Sequence, residues 1–442
     1  MTRLIHTWTW GFLLVLTLLP SPADAQQLRL LGKKILLESP AAGVRVNGAA
    51  FYTRAQGADM ILRYAEQTKS DKSDVAYRRT SNDNGRTWSD PVVETTNRSV
   101  ARGTQRRGRY PGFVDPQRDI LLVMVLQGLL PTDNPLEGMK HWTLRYSLSR
   151  DGGVTEYFDG AAVHRGNGYS EQHPWPGVWT GKNAAMIGDM TCRPIRIRTG
   201  EILQPVQITP IGPDGEYHNP GGGYTYHDSA VLIGSWNVSE TLDWEISARV
   251  EADPNRSTRG MIEPTICEFP DGRILMVMRG SNDRKPQLPG YRWVAVSSDQ
   301  GRNWSQPRPW TFEDGTRFFS PSSCSQLLQH SSGRIYWIGN ISPVNPRGNH
   351  PRYPLVIGEV DRKTLRLRQE TLCTIDDRRP EDRERMQISN FFAQEDRETD
   401  EIRVIVSPLF RNPPPPNTTG HPPPLDWTAD LWVYRVVVEG GR

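Results

Sequence analysis

The feature that most constrains this chain is a repeated junction. Six times a cluster of turn-forming residues runs into an apolar strand with an isoleucine at or near its start: GADMILRY, PQRDILLVMV, TGEILQPV, DGRILMVM, SGRIYWIG and TDEIRVIV. The isoleucines are Ile61, Ile120, Ile202, Ile274, Ile335 and Ile402, on average about 68 residues apart. A unit of that length with this composition suits four short antiparallel strands, which bury their apolar faces by stacking on copies of themselves. The predicted fold is therefore all-β, a six-bladed β-propeller with four antiparallel strands per blade. Abundant glycine (39) and proline (36) agree with many tight turns and few helices.

A second repeat gives each blade a direction. Ser81–Trp88 reads SNDNGRTW and Ser297–Trp304 reads SSDQGRNW, with eroded copies at Ser149–Glu156 (SRDGGVTE) and Ser235–Trp244 (SWNVSETLDW). An aspartate in such a turn accepts bonds from the backbone N–H groups that follow, and the glycine supplies a positive φ. In a blade with strands A to D, this turn joins C to D. It then shares a lower face with the A–B turn, while the start of A, the end of B and the start of C share the upper face. Chemistry is expected on the upper face.

Several charged residues fall there. In Glu263–Arg279 (EPTICEFPDGRILMVMR) the A–B turn is Asp271–Gly272, and arms of nearly equal length bring Glu263 and Arg279 to the same height. Arg45 opens the A strand of the first blade, Arg352 opens the C strand of the fifth, and Asp71 and Asp74 occupy the first blade's B–C loop (TKSDKSD). A guanidinium presents a planar fork of donors matched to a carboxylate.

On these residues the chain resembles the sialidase (neuraminidase) superfamily, six-bladed propellers that carry such turns on the side away from the active site. The likeness spans essentially the whole mature chain, and its most specific part is the fourth-blade pattern around Glu263 and Arg279. Carried over by position, the resemblance implies that Arg45, Arg279 and Arg352 clamp a substrate carboxylate. Glu263 would assist the nucleophile, and Asp71, with Asp74 as the alternative, would be the acid/base. The implied activity is exo-glycoside hydrolysis of an acidic sugar, such as a sialic acid, a related nonulosonate or a uronate, by a monomer without cofactor or metal.

Two positions depart from that family. Arg45-Val46-Asn47 stands where Arg-Ile-Pro is usual, a mild change. The tyrosine nucleophile should open the A strand of the last blade, where RMQISNFF places Ile388-Ser389 instead. Isoleucine can neither attack a carbon nor pass a proton, and its side chain is expected to close the pocket floor. Three readings stay open. Water or another residue attacks in a hydrolase, or a lyase or hydrolase acts on a uronate polysaccharide; the chain is a lectin-like binder of acidic sugars; or Tyr353, Tyr224 or Tyr226 supplies the missing hydroxyl.

The remaining features bound the setting. Arg3, the apolar run Gly11–Leu19 and Ala23-Asp24-Ala25 form the three parts of a signal peptide, residues 1–25, leaving 26–442 as one propeller domain that is secreted or periplasmic. No later run is apolar enough to span a membrane, and a net charge of +3 is too small to imply nucleic acid. Cys192, Cys267, Cys324 and Cys373 lack metal-type spacing and are expected as buried thiols, although three disulfide pairings are open to an exported chain. His218–Asp228 (HNPGGGYTYHD) crosses the upper face without the histidine spacing of a metal site. Trp175 and Trp179 either stack on sugar or pack, and the proline run Asn412–Pro424 is expected as a stiff loop near the pocket. Six glycosylation sequons, among them Asn417, decide nothing about function.

Overall fold

Each of the six isoleucines starts, or nearly starts, the second strand of a four-stranded sheet. In this computed structural model, which describes residues 28–94, 97–132, 142–181, 184–411 and 427–439, those B strands are Met60–Gln67, Ile120–Leu130, Ile202–Ile208, Ile274–Arg279, Ile335–Asn340 and Ile402–Val406. All six isoleucines are buried. The expected leader, the proline run and Asn417 lie outside the described residues.

The fourth blade shows the plan. Its strands Ile262–Glu268, Ile274–Arg279, Arg292–Ser297 and Arg308–Pro309 pair in chain order, all antiparallel. The sixth blade departs from chain order. Phe392–Glu395, Ile402–Val406 and Leu431–Val438 are completed by Leu28–Leu37 from the other end of the chain, which pairs antiparallel with Leu431–Val438. This closure satisfies an edge that would otherwise expose a row of unpaired backbone groups.

Apolar clusters between blades hold the ring together. Leu203, Val231 and Ile233 of the third blade pack against Ile266, Ile274 and Met276 of the fourth. Trp310 and Trp337 meet edge to face between the fourth and fifth, their ring centroids 5.5 Å apart. Trp175 is fully buried between the second and third blades, so of the two tryptophans only Trp179 stays near the surface, where it stacks on Tyr217.

The serine–aspartate turns sit where the sequence places them, between C and D strands. Asp299 accepts Asn303 N at 2.9 Å and Asn303 Nδ2 at 2.7 Å, and Ser297 Oγ accepts Gly301 N at 2.9 Å. Gly301 takes a φ of 82° as this turn requires. The copy at Ser149, eroded in sequence, keeps the whole network through Asp151 and Thr155. At Ser235–Trp244 the amide of Asn237 takes the aspartate's part. These turns also tie blades together: Arg302 donates to Glu201 of the preceding blade at 2.7 Å.

Two inner strands are broken. In the second blade the A strand divides into Gly103–Arg109 and Phe113–Asp115, and in the third into Ala185–Met186 and Ile195–Arg196. The backbone between the halves leaves the ladder and turns toward the upper face.

Candidate active site

The upper face holds one large cavity of about 790 Å³, lined by residues of all six blades. Arg45, Arg279 and Arg352 line it, as do Glu263 and Asp71.

Arg279 ends its B strand beside Glu263, which starts the A strand in a left-handed conformation with φ of 49°. That kink shifts the register between Ile262 and Thr265 and turns the carboxylate onto Arg279 Nη1, forming a buried ion pair. Arg279 Nε donates to Ser322 Oγ at 2.7 Å and Nη2 to Asn349 Oδ1 at 3.1 Å. Ser322 also receives Arg352 Nη2 on its carbonyl at 2.9 Å, so one residue braces two guanidinium groups.

Among the described residues, no carboxylate lies within ion-pair distance of Arg352 or Arg45. Arg352 Nη1 donates to Gln387 Oε1 at 3.3 Å and Ser389 Oγ at 3.4 Å, and Arg45 Nη2 to Asn47 Oδ1 at 3.3 Å. Both are buried, and the Nε atom of each lacks a partner among the described residues. Burial pushes each guanidinium down to about 10. Buried cations held by neutral acceptors are open to an anionic ligand.

Asp71 lines the cavity from the first blade's B–C loop, with φ of 61° and a bond from Ser70 Oγ at 3.0 Å. Asp74 does not line it. Its carboxylate is spent on the loop, accepting Thr68 N at 2.8 Å and Thr68 Oγ1 at 2.7 Å with Lys72 at 3.5 Å. Desolvation works against its charge, but the Thr68 bonds and Lys72 outweigh it and hold the carboxyl below its usual range.

Ile388 does not close the pocket floor. It is fully buried in the cluster between the fifth and sixth blades, with Tyr336 and Phe391. Strand parity explains the correction: Gln387 and Ser389 face Arg352, so the residue between them faces the core. Of the tyrosines considered, Tyr224 lines the cavity, whereas Tyr353 and Tyr226 do not.

The broken A strands supply residues that the sequence did not reveal. Tyr110, at the break in the second blade, is half-buried with its hydroxyl donating to Ile187 O at 2.5 Å. Desolvation and neighbouring acidic groups push its phenol well above the usual range, which makes it a poor nucleophile. Asp189, at the break in the third blade, accepts Asn390 Nδ2 on Oδ2 at 2.6 Å, while its buried Oδ1 has no partner among the described residues. Burial, then the charge of Glu263, raises its carboxyl to about 6. Gly188 permits the approach, since a Cβ there would lie 2.5 Å from Glu263 Cγ. The only sequence signal near either residue is a Pro-Gly pair after Tyr110 and a Gly before Asp189.

The cysteines are free, three of them buried, and no group of three His, Cys, Asp or Glu among the described residues could hold a metal. No helix among them is long and apolar enough to cross a membrane.

Six blades closed by the N-terminal strand, with buried arginines and carboxylates at the upper mouth, define a propeller of the sialidase type. The chain belongs to the BNR repeat-like family, whose model matches residues 112–377. Among solved structures it is similar to a protein of unknown function from Dyadobacter fermentans, with 14% identity, a TM-score of 0.58, and coverage of 93% of this chain and 99% of that one. It is similar to the K499G mutant of the NanB sialidase of Streptococcus pneumoniae (11%, 0.54, 93% and 70%). It is also similar to the Trypanosoma rangeli sialidase bound to the inhibitor DANA (13%, 0.52, 90% and 55%). At these identities the likeness is one of fold. The comparison with curated proteins gave no match.

Proposed function

We propose that this chain is a sialidase-like exo-glycoside hydrolase that removes an acidic sugar, and that it acts after export, with residues 1–25 cleaved and 26–442 forming the propeller. The observation carrying this reading is that Arg45, Arg279 and Arg352, from three different blades, line one cavity, two of them without a carboxylate partner among the described residues. A ligand carboxylate would complete their hydrogen bonds where water is largely excluded, each charge-assisted bond contributing about 1.5–3 kcal/mol.

The chemistry then falls to the carboxylates. Asp71 on the rim protonates the leaving oxygen as the glycosidic bond breaks. A water oxygen bonds to the anomeric carbon and gives its proton to Asp189, whose Oδ1 has no partner among the described residues and which lies within the field of Glu263. Attack by water removes the need for a tyrosine at position 388.

A lectin-like reading is favoured by one observation: Tyr110, the cavity tyrosine within the field of Glu263, gives its hydroxyl to Ile187 O and has its phenol pushed well above the usual range by desolvation. A product screen on a glycan library separates the two. The hydrolase releases an acidic monosaccharide, and Asp189→Asn abolishes release while ligand binding is retained; a lectin releases nothing. Neutral sugars binding as well as acidic ones, or undiminished binding by Arg279→Ala, would refute both.

A further inference from the structure

The glycine-rich stretch His218–Asp228 remained without a role in the three-arginine reading. In the fold it is the bed of a fourth arginine. Gly221 and Gly223 lie against Thr258 and Arg259, in the connection between the third and fourth blades. A Cβ on Gly221 would meet Thr258 O at 2.3 Å, and one on Gly223 would meet Arg259 Cγ at 2.5 Å. Gly223 N donates to Thr258 O at 3.2 Å, His227 N to Arg259 O at 3.2 Å, and Met261 N to His227 O at 2.9 Å. Only glycine lets the two backbones come this close, and the approach locks the stem of Arg259.

The head of that arginine lines the same cavity as the other three. Nη2 donates to Thr225 Oγ1 at 2.7 Å, while among the described residues its buried Nε has no partner and no carboxylate lies within ion-pair distance. Burial and the charge of Arg279 lower it to about 10. Glu263 is bound to Arg279, and Asp189 and Asp71 act on Arg45, whereas Glu263 and Asp283 reach Arg259 only as charges at a distance, so among the described residues its guanidinium is left without a contacting anion.

We propose that Arg259, seated by Gly221 and Gly223 and anchored by Thr225, forms a second oxyanion subsite, so that the ligand is an acidic sugar carrying a further anionic group. A sulfate ester on the same sugar and the acid of a neighbouring residue share this chemistry. The inference rests on the acidic-sugar reading for the first anionic group, and its test separates the two.

Inorganic sulfate and a panel of acidic sugars, with and without O-sulfation and as mono- and disaccharides, are titrated calorimetrically into the wild type, Arg259→Gln and Thr225→Val. Unchanged circular dichroism and unfolding temperature without ligand show that each variant is folded. The wild type is expected to bind the dianionic ligand at least about tenfold more tightly than its monoanionic counterpart, an advantage lost in Arg259→Gln and weakened in Thr225→Val. A preference for the sulfated monosaccharide or for the diacid disaccharide identifies the source. Sulfate is expected to bind the wild type with a saturating monoanionic sugar present. Competition between them, or a dianion preference that survives in Arg259→Gln, overturns the subsite. If no acidic sugar binds, the proposed function fails, and sulfate alone decides this inference: binding at least about tenfold weaker in Arg259→Gln supports it, and equal binding overturns it.

Discussion

Asn390 donates its amide to Asp189 Oδ2 at 2.6 Å across 201 positions of the chain, joining the sixth blade to the third in the cavity wall. Asn390 adopts a φ of 58° to do so, the same left-handed conformation as Glu263 and Asp71. With Phe410 (φ of 59°), four cavity-lining residues hold backbone conformations that L side chains seldom take, as happens where surrounding structure positions a functional group.

Asp189 should give stability a distinctive pH dependence. Its folded-state value of about 6 lies above the unfolded value of roughly 3.9. The native state therefore binds the proton more tightly, and this contribution is lost as pH rises from about 4 through about 6. Asp189→Asn, which keeps an acceptor for Asn390, should remove that component and leave the protein at least as stable at pH 7.5. Thermal unfolding from pH 4 to 8 checks it; an unchanged slope in the variant would refute it.

Arg352 should trade stability for binding. It is a buried cation braced by neutral oxygens, so Arg352→Met should leave the unfolding temperature unchanged or raise it. The same change should weaken binding of an acidic sugar by about tenfold or more. A fall in stability with unaltered affinity would assign this arginine to structure.

Glu263 and Arg279 should behave oppositely, because they compensate each other. Arg279→Ala leaves a buried carboxylate alone and should destabilise by about 3–5 kcal/mol. Chemical denaturation of that variant and of Arg279→Ala/Glu263→Ala together should show the double variant recovering part of the loss.

The lower-face turns should matter to the fold alone. Asp299→Ala removes the acceptor for Asn303 N and Asn303 Nδ2 and should cost about 1–2 kcal/mol without changing ligand affinity. Denaturant titration and calorimetry on the same preparation test both halves.

The closing strand should be indispensable. Removal of Leu28–Leu37 exposes the edge of Leu431–Val438 and should give an aggregating or unfolded chain. Cleavage after Ala25 would leave that strand whole, and mass spectrometry of exported protein should find Gln26 at the N-terminus.

The sequence by itself determined what is periodic or local. Six isoleucine-led strands at a near-constant spacing specify six blades, because each unit buries its faces only against the next. Ser81, Asp83 and Gly85 specify their turn through bonds within a few residues, and Glu263 and Arg279 meet because equal arms leave one hairpin. Tertiary structure alone decided which side of a strand faces the cavity and which distant groups meet there. Ile388 was expected to close the pocket floor, yet it points to the core because Gln387 and Ser389 face Arg352, and a pleat reverses with every residue. Asp74 was expected near the site, but its carboxylate turned back onto Thr68. Asp189, Tyr110 and Arg259 enter through breaks and connections that carry no period, and what gives them chemistry is their burial and their neighbours from other blades. Those neighbours are set by closure of the ring, which joins residues hundreds of positions apart and leaves no mark in the local sequence.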